Sequence, residues 1–250
     1  MNLPQPPCEA YRLAEGIDAL PQSLLWLERS RSIVAADVHL AYEEVIGGAL
    51  PLWSTPQSAA SILDAVRKAD AREIILLGDI IHGSVMSEGA AEVVTRTLDE
   101  LRGECTVTLV AGNHEGRSRG EAVLGDTVDA VERDGWLLVH GDAPSGVERA
   151  IIGHLHPTLP LASGNTIPAF LASHQLIVVP ATTPYSSGLN VLSRSCTEAL
   201  HRFVPSIAGF SVVASARDRV FPFGSLGALR SAMTADAPPL HEHRFRRRYR

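Results

Sequence analysis

The sequence predicts an α/β fold in which packed β-sheets are flanked by helices. In the first half of the chain, apolar runs typical of buried strands alternate with stretches of helical periodicity. From residue 128 onward, short strand-like runs follow one another instead. The chain has 250 residues, 45% of them hydrophobic and 20% charged, which is ordinary for a globular protein with a sizeable core. We expect one domain over residues 1–240 and a short basic tail over residues 241–250.

The first half contains three predicted strands and two predicted helices. The strands cover residues 32–38, 73–79 and 105–113, and the second of them, EIILLGD, is a continuous apolar run of the kind that is buried on both faces of a sheet. Residues 56–70 begin at a proline and place Ala59, Ile62 and Val66 at helical spacing. Residues 87–103 predict a second helix that ends at Gly103.

The second half consists of short predicted strands separated by turn residues such as Asp134-Gly135. These strands cover residues 128–132, 136–140, 149–153, 167–172, 175–179, 189–193 and 199–204. No internal repeat or low-complexity linker divides them, so the mostly β second half is expected to pack with the α/β first half.

The composition favours a cytoplasmic protein without membrane attachment. Three widely spaced cysteines suggest reduced thiols and not a disulfide framework. No apolar run approaches the roughly 18 residues of a membrane span. The first ten residues, MNLPQPPCEA, show neither the basic start nor the apolar core of a secretory signal.

The formal charge of −6 is unevenly distributed along the chain. The last ten residues, HEHRFRRRYR, hold five arginines and one glutamate, a net +4, so the other 240 residues sum to −10. An acidic body has no reason to attract nucleic acid unless bound metal ions reverse the charge locally. The tail either binds phosphates electrostatically or is simply a solvated end of the chain.

Polar residues of the types that bind metal ions follow five of the apolar runs. Because the carboxyl ends of strands form the ligand crevice in an open α/β sheet, we expect these residues to converge on one site. One such cluster alone is weak evidence, but five clusters in order are hard to explain as coincidence. The residues are Asp37 and His39, Asp79 and His82, Asn113 and His114, His140, and His154 with His156.

The residue types favour a site for two divalent transition metal ions. Carboxylate, imidazole and amide oxygen ligands suit manganese, iron or zinc, whereas thiolate ligands are missing from the clusters. The ligands are too many for one tetrahedral ion, and they suit two ions roughly 3.5–4 Å apart that share a bridging carboxylate. We expect manganese first, with iron and zinc as alternatives. In IIGHLHP, residues 151–157, each of the two histidines can then serve a different ion, and Gly153 lets the backbone approach them.

The ordered motifs D-x-H, G-D-x-x-H, G-N-H-E, H-G and G-H-x-H resemble those of the calcineurin-like metallophosphoesterase superfamily, over about residues 33–193. The resemblance implies a four-layer αββα sandwich of two mixed sheets flanked by helices. It also implies two ligand sets that share Asp79: Asp37, His39, Asp79 and His156 for one ion, and Asp79, Asn113, His140 and His154 for the other. His114 matches the catalytic histidine of the superfamily, which would protonate the leaving oxygen or stabilise the transition state as a cation.

Two longer segments resemble the ligase-associated (PdeM-like) DNA repair phosphoesterases and their archaeal relatives. They are ADVHLAYEEVIGGALPL and IPAFLASHQLIVVPATTPYSSGLNVL. Ala41 stands where glycine is usual in that group, and PATTPYSSG replaces a phenylalanine and a Gly-Gly pair; both changes spare the metal ligands but alter the substrate side. The resemblance implies a DNA endonuclease or phosphodiesterase in DNA repair, with a DNA ligase or helicase as a partner.

The histidine of GDIIHG, His82, occupies a position at which many superfamily members, including the protein phosphatases, carry aspartate. A histidine here resembles the SbcD-like repair nucleases, in which it lies near the substrate phosphate. His82 and Asn113 are therefore predicted substrate contacts. The alternative for His82 is a partner that orients Asp79 or His114.

Two other functions stay open. One is a small-molecule nucleotide or nucleotide-sugar pyrophosphatase, such as the enzyme of the lipid A pathway, although no basic amphipathic patch supports a lipid substrate. The other is a non-catalytic scaffold, as in the retromer subunit of this superfamily. A scaffold need not keep His114 and every metal ligand, whereas this chain keeps them all.

Overall fold

A computed structural model places two mixed β-sheets face to face, with helices on their outer sides. It describes residues 10–235, apart from residues 48–49, 83–85, 114–122, 145, 184 and 187. Within these residues the predicted fold class, an α/β sandwich of two mixed sheets flanked by helices, is confirmed.

Among the described residues, the first sheet contains six strands in their order along the chain. The first four strands pair with one another in antiparallel order, and the fourth, fifth and sixth run parallel to one another. The strands are β1 (Tyr11–Ala14), β2 (Ile17–Ala19), β3 (Leu24–Leu27), β4 (Ser32–Ala36), β5 (Glu73–Leu77) and β6 (Thr106–Val110), with a 3-10 turn at Pro21–Ser23 between β2 and β3.

The second sheet contains nine strands in the part of the chain that the structure describes. Its main path runs β13-β10-β11-β12-β9-β8-β7, while β14 pairs with both β11 and β15. Parallel pairs join β8 to β9, β9 to β12 and β10 to β13. The strands are β7 (Ala130–Arg133), β8 (Trp136–Val139), β9 (Ala150–Ile152), β10 (Pro157–Pro160), β11 (Thr166–Ala172), β12 (Leu176–Val178), β13 (Leu189–Asn190), β14 (Ser211–Ser215) and β15 (Val220–Ser225).

Five helices accompany the sheets in the described part of the chain. They are α1 (Glu43–Ile46), α2 (Ser54–Ala69), α3 (Glu88–Glu104), α4 (Arg194–His201) and α5 (Leu226–Ala235). Ser87 caps the N-terminus of α3, because its side chain accepts a hydrogen bond from the main-chain N–H of Ala90. Ser193 caps α4 in the same way.

Three apolar layers hold the sandwich together. Between the sheets, β-branched and aromatic side chains such as Val34, Ile75 and Phe170 are fully buried. On the outer side of the first sheet, α2 and α3 bury Ile62 and Val94 against it. A third cluster covers the outer side of the second sheet; it includes Leu200 of α4, Leu226 of α5, Ile152 and Phe210. Burial of apolar surface on both faces of each sheet is the main stabilising term for such a layered fold.

The topology brings strand ends from both sheets to one rim. Strands β4, β5 and β6 are parallel, so they end at the same edge of the first sheet. Strands β8 and β9 are likewise parallel and end together in the second sheet. An isolated parallel bridge between Ala36 and Ala181, with a hydrogen bond of 2.9 Å from the Thr182 N–H to the Ala36 carbonyl, connects the two edges. Segments that follow these strands therefore meet at one place.

The predicted elements of the first half are found within a few residues of their expected bounds. In the second half, six predicted strands correspond to β7, β8, β9, β11, β12 and the short β13. The strand predicted over residues 199–204 is wrong, because residues 194–201 form α4 and bury Leu200 from a helical face. None of the described helices is both long and apolar enough to cross a membrane.

Candidate metal centre

The first predicted cluster lies where β4 and β5 end. Asp37 directly follows β4, and Asp79 follows β5 after Gly78. The loops beyond these strands run side by side, since the His39 N–H donates to the Asp79 carbonyl at 3.0 Å and the Leu40 N–H donates to the Ile80 carbonyl at 2.7 Å. This pairing extends the parallel ladder beyond the strands and fixes both aspartates at the rim.

The second sheet delivers three histidines to the same rim. His140 directly follows β8, whereas His154 and His156 lie in the turn between β9 and β10. The Gly153 N–H donates to the His140 carbonyl at 3.0 Å, and the His154 N–H donates to Oδ2 of Asp37 at 2.8 Å. The aspartate of the first sheet thereby anchors the histidine turn of the second.

Six of the seven predicted metal ligands form two neighbouring triads. In each triad, one nitrogen or oxygen atom from each residue lies within 4.8 Å of the other two. The two triads are Asp37, His39 and His156, and Asp79, His140 and His154. His140 connects them, because its Nε2 lies 3.5 Å from Oδ1 of Asp79 and its Nδ1 lies 3.7 Å from Oδ1 of Asp37.

Unsatisfied polar atoms between the triads fit a metal ion. Among the described residues, Oδ1 of Asp37, Nδ1 of His140 and Nε2 of His156 are buried and have no hydrogen-bond partner. Nε2 of His156 lies 3.4 Å from Oδ1 of Asp37. A buried carboxylate oxygen without a partner is destabilising, and a divalent cation removes that penalty. The oxygen and nitrogen donors are those that manganese, iron or zinc accepts.

The backbone at the centre is strained. Five of the six triad residues have positive φ, between 41° and 59°, although none of them is glycine. They are Asp37, His39, Asp79, His154 and His156. Each such conformation costs on the order of 1–3 kcal/mol and persists only where the surrounding structure enforces it, which is typical of functional sites.

Glycines leave room for the ligands. A Cβ on Gly153 would lie 2.6 Å from Oδ2 of Asp37, and one on Gly78 would overlap the ring of His140. Only a residue without a side chain permits the strands to approach the ligands so closely. The sequence-based expectation that Gly153 allows a close backbone approach agrees with this geometry.

Burial and neighbouring charges shift two of the imidazoles in opposite directions. Burial lowers the pKa of His154, and the nearby His140 lowers it further. Burial also disfavours the charged form of His156, but the contact with Asp37 outweighs burial, so the pKa of His156 is raised. A proton therefore competes with a metal ion more strongly at His156 than at His154.

Two of the three remaining predicted residues, Asn113 and His82, lie beside the triads. Oδ1 of Asn113 lies 2.8 Å from Nε2 of His140, which places this amide at the second triad. Nδ1 of His82 lies 3.2 Å from Nδ1 of His39, so His82 contacts a candidate ligand that neither sequence-based alternative named. His114, the predicted catalytic residue, lies outside the described residues.

Sequence reasoning missed two side chains that contact the candidate ligands. The hydroxyl of Ser186 lies 2.6 Å from Nδ1 of His156, so it fixes the orientation of that ring. The ring of Tyr42 lies 5.7 Å from that of His39. Neither residue type at its position suggests a metal site, and only the folded chain brings Ser186 next to a histidine 30 positions earlier.

A two-layered β core with paired oxygen and nitrogen triads at its rim defines a candidate binuclear metallohydrolase. The sequence profile of the calcineurin-like phosphoesterase family matches residues 30–176, and the chain belongs to this family. The matched region covers β4 to β11 and ends at the first residue of β12, and it includes all six triad residues. The predicted superfamily membership is thus confirmed, and no curated protein matches the sequence.

Solved structures share the fold at low sequence identity. The crystal structure of Pseudomonas putida nuclease MPE is similar with a TM-score of 0.66 and 21% identity, over 86% of this chain and 99% of that one. A phosphoesterase from E. coli, Yfce, gives a TM-score of 0.42 with 18% identity, over 77% of this chain and 96% of that one. At such identities the first similarity shows a common fold.

Proposed function

We propose that this chain is a two-metal phosphodiesterase that cleaves DNA in DNA repair, within the ligase-associated (PdeM-like) group. The proposal includes manganese as the working ion, with iron or zinc as alternatives, a cytoplasmic location, and a DNA ligase or helicase as partner. One observation carries it: two triads of candidate metal ligands share a rim at which buried polar atoms have no hydrogen-bond partner among the residues that the structure describes.

Family membership and this geometry support hydrolysis of a phosphate ester. Asp37, His39 and His156 would hold one ion, and Asp79, Asn113, His140 and His154 the other, with Asp79 shared. When bound, two divalent ions supply Lewis-acid charge for the phosphoryl oxygens and a lowered pKa for the attacking water.

The chain's own side chains prepare the site before substrate binds. Ser186 fixes the ring of His156, and His82 contacts the ring of His39, so both imidazoles are held in place before ions and substrate bind. His82 is also half-buried at the rim, and it is proposed to contact a phosphate oxygen of the substrate. His114 is proposed to donate the proton to the leaving oxygen.

A nucleic acid is the proposed substrate because of subgroup resemblance and the shared fold. The Pseudomonas putida protein with the same fold is described as a nuclease. The chain carries a net charge of −6, so a polyanionic nucleic acid can bind at the rim only if the local charge there is positive. Bound cations would supply that positive charge.

The test compares hydrolysis of bis-p-nitrophenyl phosphate, a diester, with that of p-nitrophenyl phosphate, a monoester. The metal-free protein is reconstituted with manganese, iron or zinc and assayed beside His140→Ala, His114→Ala and, as a matched control, the exposed His174→Ala. We expect manganese-dependent diester cleavage that His140→Ala and His114→Ala lose and His174→Ala retains. Calorimetry should show weaker metal binding only for His140→Ala, because His114 is proposed to act on the substrate.

The outcomes separate the alternatives. Cleavage of the monoester alone would contradict a phosphodiesterase. Metal binding without cleavage of either ester would favour a selective pyrophosphatase or a scaffold. If the diester is cleaved, circular single-stranded DNA and supercoiled duplex DNA test endonuclease activity directly, and unchanged DNA would contradict the proposed substrate.

A further inference from the structure

A set of aromatic side chains continues outward from the metal centre. His82 lies next to the candidate ligand His39, with ring centroids 4.8 Å apart. Tyr42 contacts His82 edge to face at 4.8 Å and stacks on Tyr185 at 5.8 Å with an angle of 22° between the rings. These spacings are those of favourable aromatic pairs. We call Tyr42, His82 and Tyr185 the aromatic wall.

A buried carboxylate holds the wall in position. The hydroxyl of Tyr185 donates to Oε1 of Glu43 at 3.3 Å. Glu43 is only 1% exposed. It accepts one hydrogen bond from the main-chain N–H of Ser54 at 2.7 Å and another from the Ser54 hydroxyl at 2.8 Å. Burial raises the pKa of Glu43, but the hydrogen bonds from Ser54, from its own main chain and from Tyr185 together outweigh burial and leave the pKa below its usual value. Glu43 thus links the tyrosine to the start of α2.

The wall is presented to solvent beside the metal centre. Tyr185 is 41% exposed, and Tyr42 and His82 are half-buried, whereas the core aromatics Trp26 and Phe170 are fully buried. Core packing therefore does not account for the stacked pair. Tyr185 also precedes Ser186, which contacts the candidate ligand His156, so the same loop serves both the metal centre and the wall.

We propose that the aromatic wall is a stacking subsite for the nucleobase next to the scissile phosphate. This inference rests on the proposed function and names two further specificity-determining residues, Tyr42 and Tyr185. The Tyr42 ring lies 5.7 Å from that of the candidate ligand His39. A phosphate held at the triads would therefore bring a neighbouring base next to the aromatic wall. Base stacking on aromatic side chains tolerates every base, because each has a π-face.

The test removes the base from the substrate and the ring from the protein. Thymidine 5′-p-nitrophenyl phosphate is compared with its analogue in which hydrogen replaces the thymine, since both release the same leaving group. We expect the wild-type protein with manganese to prefer the thymidine ester in kcat/KM by roughly tenfold or more. Tyr185→Ala should lose that preference without changing the rate on the base-free ester. Tyr42→Ala should lose the preference as well, and its rate on the base-free ester is also expected to fall, because the Tyr42 ring packs beside His39.

Two further variants control the assignment. Tyr185→Phe keeps the ring and loses only the bond to Glu43, so it should keep most of the preference. Tyr11→Ala removes a tyrosine of similar exposure, 37%, from β1 and should leave the preference unchanged. Equal losses on the two esters in Tyr185→Ala would overturn the subsite, as would a preference that survives both alanine substitutions.

Binding distinguishes failure of the subsite from failure of the proposed function. Calorimetry with the manganese-loaded protein compares thymidine 5′-phosphate with 2-deoxyribose 5-phosphate and needs no turnover. Tighter binding of the nucleotide that Tyr185→Ala abolishes would uphold the wall even if neither ester is hydrolysed. Equal affinities in the wild-type protein would overturn it even if both esters are cleaved.

Discussion

At the scale of single residues, the centre depends on places where no side chain fits. Gly112 follows β6, and a Cβ there would overlap both the main-chain nitrogen and Oδ1 of Asp79. Asp79 is 2% exposed and has a φ of 41°, so its backbone and its carboxylate are tightly enclosed and cannot move aside easily. The glycine thus sets the position of the proposed bridging ligand from a neighbouring strand.

Substitution of Gly112 by alanine should displace Asp79 and weaken metal binding. We expect the affinity for manganese, measured by calorimetry, to fall roughly 10- to 100-fold, with a parallel loss of diester hydrolysis. Gly103→Ala is the control, because nothing lies within 4 Å of its Cβ in α3. That variant should bind manganese normally and unfold at the same or a slightly higher temperature. Normal manganese affinity in Gly112→Ala would contradict this role.

The residue pattern predicted much of the centre and omitted its supports. Asp37, Asp79 and His140 stand directly or almost directly after apolar strands, and this local signal is enough to place them at a sheet edge. Ser186 and Tyr185 follow no such pattern; their partners lie 30 and 142 positions away along the chain. The first contact arises where β13 pairs with β10 in the second sheet, and the second where a loop of that sheet meets α1. A single sequence does not encode such contacts locally.

At the scale of elements, a polar network joins the two sheets at the other end of their strands. Glu73, the first residue of β5, accepts hydrogen bonds from Ser32 of β4 at 2.8 Å and Thr108 of β6 at 2.7 Å. Arg133 of β7 donates to both oxygens of Glu73 at 2.8 Å. Burial raises the pKa of Glu73, but Arg133 and the two hydroxyls outweigh burial, so its pKa is lowered. The network fixes the register of three strands and connects them to the second sheet.

Glu73→Gln should destabilise the fold in a manner that depends on pH. Because the pKa of Glu73 is lowered by folding, its charge stabilises the protein above the ordinary glutamate pKa of 4.5, and this contribution is lost as the pH falls below that value. We expect the variant to lose about 2–4 kcal/mol of unfolding free energy at pH 7. The difference from wild type should shrink in acid. Urea unfolding at pH 7 and below pH 4.5 measures both values.

Glu132→Gln controls for the loss of a negative charge. Glu132 precedes Arg133 on β7 and is exposed, so its replacement should change the unfolding free energy by less than about 0.5 kcal/mol. A Glu73→Gln variant that behaves like this control at every pH would show that the network contributes nothing to stability.

The elements that sequence patterns predicted best are those buried on both faces or amphipathic over several turns. Strand β5 and helices α2 and α3 belong to this group. The segment over residues 199–204 was predicted as a strand, yet Ser193, six residues earlier, caps a helix that extends to His201. Strands β1 to β3, β10, β14 and β15 were not predicted, since short strands gain their stability from neighbours distant in sequence.

At the scale of the whole molecule, charge separates the body from the tail. Residues 1–240 carry a net −10 and residues 241–250 a net +4, from five arginines and one glutamate. An acidic body repels a polyanionic substrate at long range, and the metal ions act only at the centre. The excess of positive charge in the tail is therefore the part of the sequence best suited to draw in a strand of nucleic acid, although tails of this composition also serve merely as solvated ends.

Removal of residues 241–250 should weaken nucleic-acid binding and spare the chemistry. We expect unchanged manganese-dependent hydrolysis of bis-p-nitrophenyl phosphate, since that ester is too small to reach a charge outside the centre. Affinity for a single-stranded oligonucleotide should fall at low salt. The slope of log affinity against log salt should become shallower by roughly 3, because each neutralised phosphate of a single strand contributes about 0.7.

A variant in which the five tail arginines become glutamines keeps the length and should behave as the deletion does. Identical salt slopes for the intact and shortened chains would assign the tail to solubility alone, and loss of ester hydrolysis would place the end of the catalytic domain beyond residue 240.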